Sequence, residues 1–179
     1  MFIDERESTR GNGRAVATKL DFEQTYNADP TTVMAMLKDP EFIRLKCDTT
    51  GSRKTTVDVQ ESADGGCVLV SVRVLPAKVP AAAAPFVGET LTVTETQTWS
   101  APDTEGSATA TVAVDFGAPM TFTSAMTLTA SSTGTVVTTI GLFKSSIPFV
   151  GGKIESAAKE QTEAYLEVEQ RVGNEWLSR

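Results

Sequence analysis

The chain has 179 residues, 40% of them hydrophobic and 22% charged, the proportions of one soluble globular domain. Its 16 lysines and arginines against 23 acids leave a net charge of −7, which argues against a nucleic-acid surface and disfavours an anionic membrane face. There is no histidine, which removes Ser-His-Asp and Cys-His nucleophile systems and most zinc sites.

Cys47 and Cys67 lie far apart without CxxC spacing, so no metal knuckle is encoded. Two reduced thiols in a cytosolic protein are the expectation, with one disulfide as the alternative. No apolar run approaches the ~20 residues of a membrane span, so stable membrane insertion is not expected. The start, MFIDERESTRGNGRAVA, lacks the apolar core of a signal peptide. Residues 1–17 read as a flexible leader, residues 18–179 as the folded domain, and the location as cytoplasmic.

In TKLDFEQTY, Leu20, Phe22, Gln24 and Tyr26 fall on one face and Lys19, Asp21, Glu23 and Thr25 on the other, the pattern of a half-buried strand. Asp29-Pro30 then pairs a capping residue with proline at the first helical position, and Val33, Met34, Met36 and Leu37 supply helical spacing. Asp39-Pro40 repeats the signal ahead of Phe42, Ile43 and Leu45, making two short helices. TTVDVQES and CVLVSVRVL flank a turn at Asp64-Gly65 and predict a hairpin. Residues 76–88, PAKVPAAAAPFVG, interrupt the strands as a loop with room for one helical turn.

ETLTVTETQTWS predicts a long strand with Thr90, Thr92, Thr94, Thr96 and Thr98 on one face. ATATVAVDF, MTFTSAMTLTA and TVVTTIGLF add three more, parted by turns at Gly117 and Gly134. A helix over 152–177 closes the chain, with Ile154, Ala157, Ala158, Tyr165, Val168, Val172 and Trp176 on its apolar side. Gly173-Asn174 is expected to fray or bend its last turn. The order strand, two helices, six strands, long helix predicts an α+β fold: a curved antiparallel seven-stranded sheet wrapped around the C-terminal helix.

FVGGKIES, at the start of that helix, invites comparison with a phosphate-binding loop. A P-loop needs glycine five residues before Gly152 and Ser or Thr after Lys153; Ile147 and Ile154 stand there instead. The segment therefore reads as a hinge, in which Pro148 stops strand pairing and the glycines permit the turn.

YNADPTTVMAMLKDPEF, FVGETLTVTETQTWS and IPFVGGKIES, with this order of elements, resemble the START-like superfamily of pollen-type allergens, polyketide cyclases and lipid-transfer domains. Within it they are similar to an actinobacterial family of uncharacterised proteins, domain of unknown function 2505. The resemblance covers residues 18–177. It implies a helix-grip fold whose sheet and long helix enclose a cavity for a hydrophobic ligand, and it transfers no catalytic residue.

In such a fold each strand turns one face inward. The alternation assigns Phe22 and Gln24; Val70, Val72 and Val74; Leu91, Val93, Glu95, Gln97 and Trp99; Val112 and Val114; Phe122, Ser124 and Met126; and Val137, Thr139, Gly141 and Phe143. Glu95 and Gln97 stand out, because an inward charge is costly unless it is paired or meets a polar ligand group. A solvated rim is the alternative for Glu95. Trp99 and Tyr165 either stack on a ligand or fill the core, and Ala157 and Ala158 leave room on the helix or allow close packing. Met34, Met36, Met120 and Met126 offer an adaptable lining, or simple filling. The expected ligand site therefore comprises Phe22, Gln24, Val72, Val93, Glu95, Gln97, Trp99, Phe122, Met126, Phe143, Ala158 and Tyr165.

The function read from this pattern is a carrier, sensor or sequestering protein for a small lipid-like or polyketide-like molecule, with no cofactor and no metal. One alternative is a cyclase-type enzyme with Glu95 as acid/base, partnered by Tyr26 or Tyr165. The other is a co-chaperone-like interaction module using the 76–88 loop, for which a filled core is expected in place of a cavity.

Overall fold

Period-two patterning dominates the chain, and the computed structural model, which describes residues 17–78, 81, 84–86 and 88–179, turns it into a single curved sheet. Its strands are β1 (Thr18–Tyr26), β2 (Lys54–Glu61), β3 (Cys67–Pro76), β4 (Thr90–Trp99), β5 (Ala108–Asp115), β6 (Met120–Ser131) and β7 (Gly134–Ser145). They lie in the order β1-β7-β6-β5-β4-β3-β2, and every neighbouring pair is antiparallel. Two short helices, α1 (Pro30–Lys38) and α2 (Pro40–Thr49), separate β1 from β2, and a 27-residue helix, α3 (Gly151–Leu177), ends the fold. The leader expected over 1–17 falls almost wholly outside the described residues. Of the 76–88 loop, residues 79, 80, 82, 83 and 87 also fall outside; Ala84–Phe86 forms one 3₁₀ turn.

The helical corner is built as its aspartates dictate. Asp29 accepts hydrogen bonds from the Thr32 amide and hydroxyl, and Asp39 accepts from the Glu41 amide, each one residue before a proline at the first helical position. The Asp29 carboxyl sits below the ordinary aspartate range because of these bonds to Thr32. Asp39 serves twice, ending α1 and capping α2.

β1 is an edge strand, and α3 covers part of that edge. The Thr18 amide and hydroxyl donate to Glu155, the Thr25 amide donates to Gln170, and Asn174 accepts from the Asn27 amide while donating to the Thr25 carbonyl. Polar side chains of the helix thus satisfy backbone groups that an open edge would leave for another chain. Asn174 is consequently part of an intact helix. Gly173, expected to weaken the last turn, is buried against the Tyr26 ring, an approach that needs glycine because a Cβ would lie 2.6 Å from the ring.

The junction between β7 and α3 departs from expectation in one respect. It is a hinge, but Gly151 and Gly152 belong to the helix, and the left-handed residue is Phe149, at φ 66° with its side chain fully exposed.

The core lies between the sheet and the three helices. Leu20, Phe42, Leu128 and Phe143 have no exposed surface, and Phe143 stacks on Phe122 with ring centroids 4.3 Å apart. Cys47 and Cys67 are both free and buried.

Candidate functional site

Between the concave face of the sheet and α3 lies a cavity of about 440 Å³. Its apolar wall comes from Leu91 and Val93 on β4, Val112 and Val114 on β5, Phe122 and Met126 on β6, and Ala157 and Ala158 on α3. Alternation on each strand projects these side chains to one face, and the threonine face of β4 turns outward as expected.

One end of the cavity is polar. Glu95 and Gln97 both point inward: the Gln97 amide donates to Glu95 Oε1 at 2.6 Å, and the Trp99 indole donates to Gln97 Oε1 at 2.8 Å. Arg73, on β3, approaches Glu95 Oε2 through Nη2 at 3.5 Å and stacks on the Tyr165 ring at 4.2 Å from its centroid. Beyond Tyr165 lies a second buried pair, in which Lys46 Nζ of α2 reaches Glu169 Oε2 of α3 at 2.8 Å. Lys46 Nζ also stands 5.7 Å from the Tyr165 ring centroid.

Each charge is held by its neighbours. Burial works against the Glu95 carboxylate, but Lys46 and Arg73, with the Gln97 amide, outweigh it and hold the group below the ordinary glutamate range. Burial likewise opposes the charges on Lys46 and Arg73. For Lys46 the acid Glu169 leads the opposing effects, for Arg73 it is Tyr165 and then Glu95, and both groups stay above their ordinary values. Burial drives the Tyr165 hydroxyl upward, so it stays protonated. The Cys47 thiol is pushed up by burial too, against the pull of Lys46 and Arg73.

Several polar atoms of cavity-lining side chains have no partner among the described residues: Arg73 Nε and Nη1, Tyr165 Oη, Ser124 Oγ and Thr139 Oγ1. An unpartnered buried polar group costs free energy, about 1–3 kcal/mol in mutational series. Five such atoms lie around this one cavity.

Of the residues expected from sequence, the structure gathers Val93, Glu95, Gln97, Phe122, Met126, Ala158 and Tyr165 around the cavity. Phe22 and Phe143 face inward but pack in the core, and Gln24, which is not among the cavity-lining residues, donates through Nε2 to the Leu166 carbonyl. Trp99 is core, reaching the site only through its bond to Gln97. Val72 is wrong in direction. The buried face of β3 is Cys67, Leu69, Ser71 and Arg73, and Val68, Val70, Val72 and Val74 form the half-buried outer face. Valine stands there because a β-branched side chain suits a pleated surface on either side. Tyr26, offered as a partner for Glu95, is buried apart from the cavity, and Met34 and Met36 belong to the core while Met120 and Met126 line the wall.

Sequence reasoning missed Arg73, Lys46 and Glu169. A signal was present for two of them. Lys46 follows Phe42 and Ile43 by four and three residues, and Glu169 follows Tyr165 and Leu166 in the same way, so both charges sit on apolar helix stripes.

A curved antiparallel sheet gripping a long C-terminal helix, with a cavity between them, defines a helix-grip protein. The chain belongs to the family described as "Protein of unknown function (DUF2505)", which matches residues 21–177. Among solved structures it is similar to TTHA0849 from Thermus thermophilus, at 16% identity over 88% of this chain and 95% of that one, with a TM-score of 0.60. It is also similar to Ara h 8.0201, at 13% identity, 92% and 100% coverage and a TM-score of 0.56. A protein from Rhodobacter sphaeroides gives 16% identity, 90% and 92% coverage and a TM-score of 0.56. These likenesses establish the fold. No curated protein matches the sequence. Among the described residues no helix is long and apolar enough to cross a membrane, and no cluster of metal-ligating side chains occurs.

Proposed function

We propose that this protein is a cytoplasmic, START-like binding module that takes up one small hydrophobic molecule, lipid-like or polyketide-like, as a carrier, sensor or sequestering protein. The observation that carries this reading is the cavity itself. At about 440 Å³ it falls within the ~300–1,000 Å³ of small-molecule sites, and it combines an apolar wall with a few convergent polar groups. An open cavity counts against the protein-interaction alternative, for which a filled core is expected.

The cyclase-type alternative asks Glu95 to exchange a proton with substrate. Its two oxygens are instead engaged by Gln97 and Arg73, and its low proton affinity makes it a poor general acid at neutral pH. Glu95→Gln abolishing turnover while sparing binding would restore that alternative.

The test is native mass spectrometry of the purified protein, with solvent extraction of any added mass, beside uptake of the neutral dye Nile red. Ala158→Trp, which places a large ring where α3 borders the cavity, is expected to abolish both signals. A bare wild-type mass together with no dye uptake would defeat the proposal.

A further inference from the structure

We infer that the ligand is uncharged and presents an acceptor oxygen, such as a ketone, ester or ether oxygen, to Arg73 and Tyr165; this rests on the cavity being a ligand site. Two features of the polar end support it. The first is charge balance. Lys46 and Arg73 face Glu95 and Glu169, all four are buried, and the two positive charges cancel the two negative ones. A carboxylate or phosphate entering here would leave one buried charge unbalanced, and so would an amine, each at a desolvation cost that a neutral molecule avoids.

The second feature is an asymmetry between donors and acceptors. The carboxylate and amide acceptors beside Arg73 are engaged: Glu95 Oε1 by the Gln97 amide, Glu95 Oε2 by the Arg73 ion pair and Gln97 Oε1 by the Trp99 indole, while Lys46 takes one oxygen of Glu169. The donors are not. Arg73 spends Nη2 on Glu95, but Nε and Nη1 make no well-aligned hydrogen bond among the described residues; the Tyr165 hydroxyl makes none either, although Arg73 and the Cys47 thiol both lie close to it. A guanidinium has only hydrogens to offer, and the protonated phenol has one more, so what this end lacks is an acceptor. With the apolar wall facing it, the complementary molecule is a hydrocarbon skeleton carrying an oxygen at one end.

Three rigid tricyclic probes of nearly one shape separate the possibilities: fluorene, 9-fluorenone, which adds a single carbonyl oxygen, and fluorene-9-carboxylate, which adds a charge. Titrated calorimetrically into the full chain at pH 7, 9-fluorenone is expected to bind about tenfold or more tightly than fluorene, the value of a hydrogen bond from a charged donor. The carboxylate is expected to bind less tightly than 9-fluorenone. Tyr165→Phe, and separately Arg73→Lys, which keeps the charge but loses the planar fork, should each narrow the ratio between 9-fluorenone and fluorene. Equal affinities for those two in the wild type, or a carboxylate tighter than both, would overturn the inference while leaving the cavity a ligand site. No uptake of any of the three would overturn the inference and the proposed function together.

Discussion

Removing one partner of the buried Lys46–Glu169 pair should cost far more than removing both. Each side chain is 5% exposed, and Nζ stands 2.8 Å from Oε2, so the pair is screened little by solvent. Lys46→Met leaves the Glu169 carboxylate buried without its cation, a defect worth about 3–5 kcal/mol. In a chain of this size that lowers Tm by roughly 6–20 °C, at about 2–4 °C per kcal/mol. Lys46→Met with Glu169→Leu replaces the pair by apolar groups of similar volume and should return most of that loss, since such replacements are often neutral or stabilising. The exposed Lys38–Glu61 pair serves as the control: Glu61 is 71% exposed, and Lys38→Met should cost no more than about 1 kcal/mol. Urea denaturation of the four proteins, read by tryptophan fluorescence, measures all of these differences. Lys46→Met costing less than about 1 kcal/mol, or a double variant no more stable than Lys46→Met, would refute the reasoning.

The Glu95 carboxylate is held below its ordinary value near 4.5, so near that value the folded chain binds fewer protons than the unfolded one. Its contribution is therefore present above about pH 4.5 and lost as the pH falls through the lower folded value. The stability gap between wild type and Glu95→Gln should close on acidification from pH 7 to 3, and a gap constant over that range would contradict the assignment. Gly173→Ala would gain about 1 kcal/mol from helix propensity on an open surface. Here its Cβ would meet the Tyr26 ring at 2.6 Å and Met36 Cε at 3.2 Å, and overpacking of about 1–3 kcal/mol should make the variant less stable in urea. Phe149 spends its left-handed conformation in full exposure, and Phe149→Asn, which tolerates that conformation, should raise stability by up to about 1 kcal/mol. A loss of that size on thermal melting would show that the phenyl ring has a partner.

The elements were legible because their signals are local: prolines behind capping aspartates, threonine on one face of β4, and glycine at the turns, with Gly65, Gly117 and Gly134 all at positive φ. The inward face of β3 was not, because alternating valine carries β propensity without direction. Direction came from register. Ser71 lies opposite Glu95 and Arg73 opposite Val93, so β3 must present the same parity as the inward face of β4, and Arg73 follows. Had β3 turned Val72 inward, Glu95 would have lost Arg73 and kept a buried charge without its adjacent guanidinium. The site thus follows from one inward carboxylate. Once Glu95 points into the fold, a cation is required beside it. Arg73 is the only charged side chain in β3, the strand next to β4, and taking it inward fixes which valines face out. Pairing Arg73 with Glu95 through one nitrogen leaves two nitrogens unspent, and the inference of an uncharged ligand with an acceptor oxygen rests on that remainder.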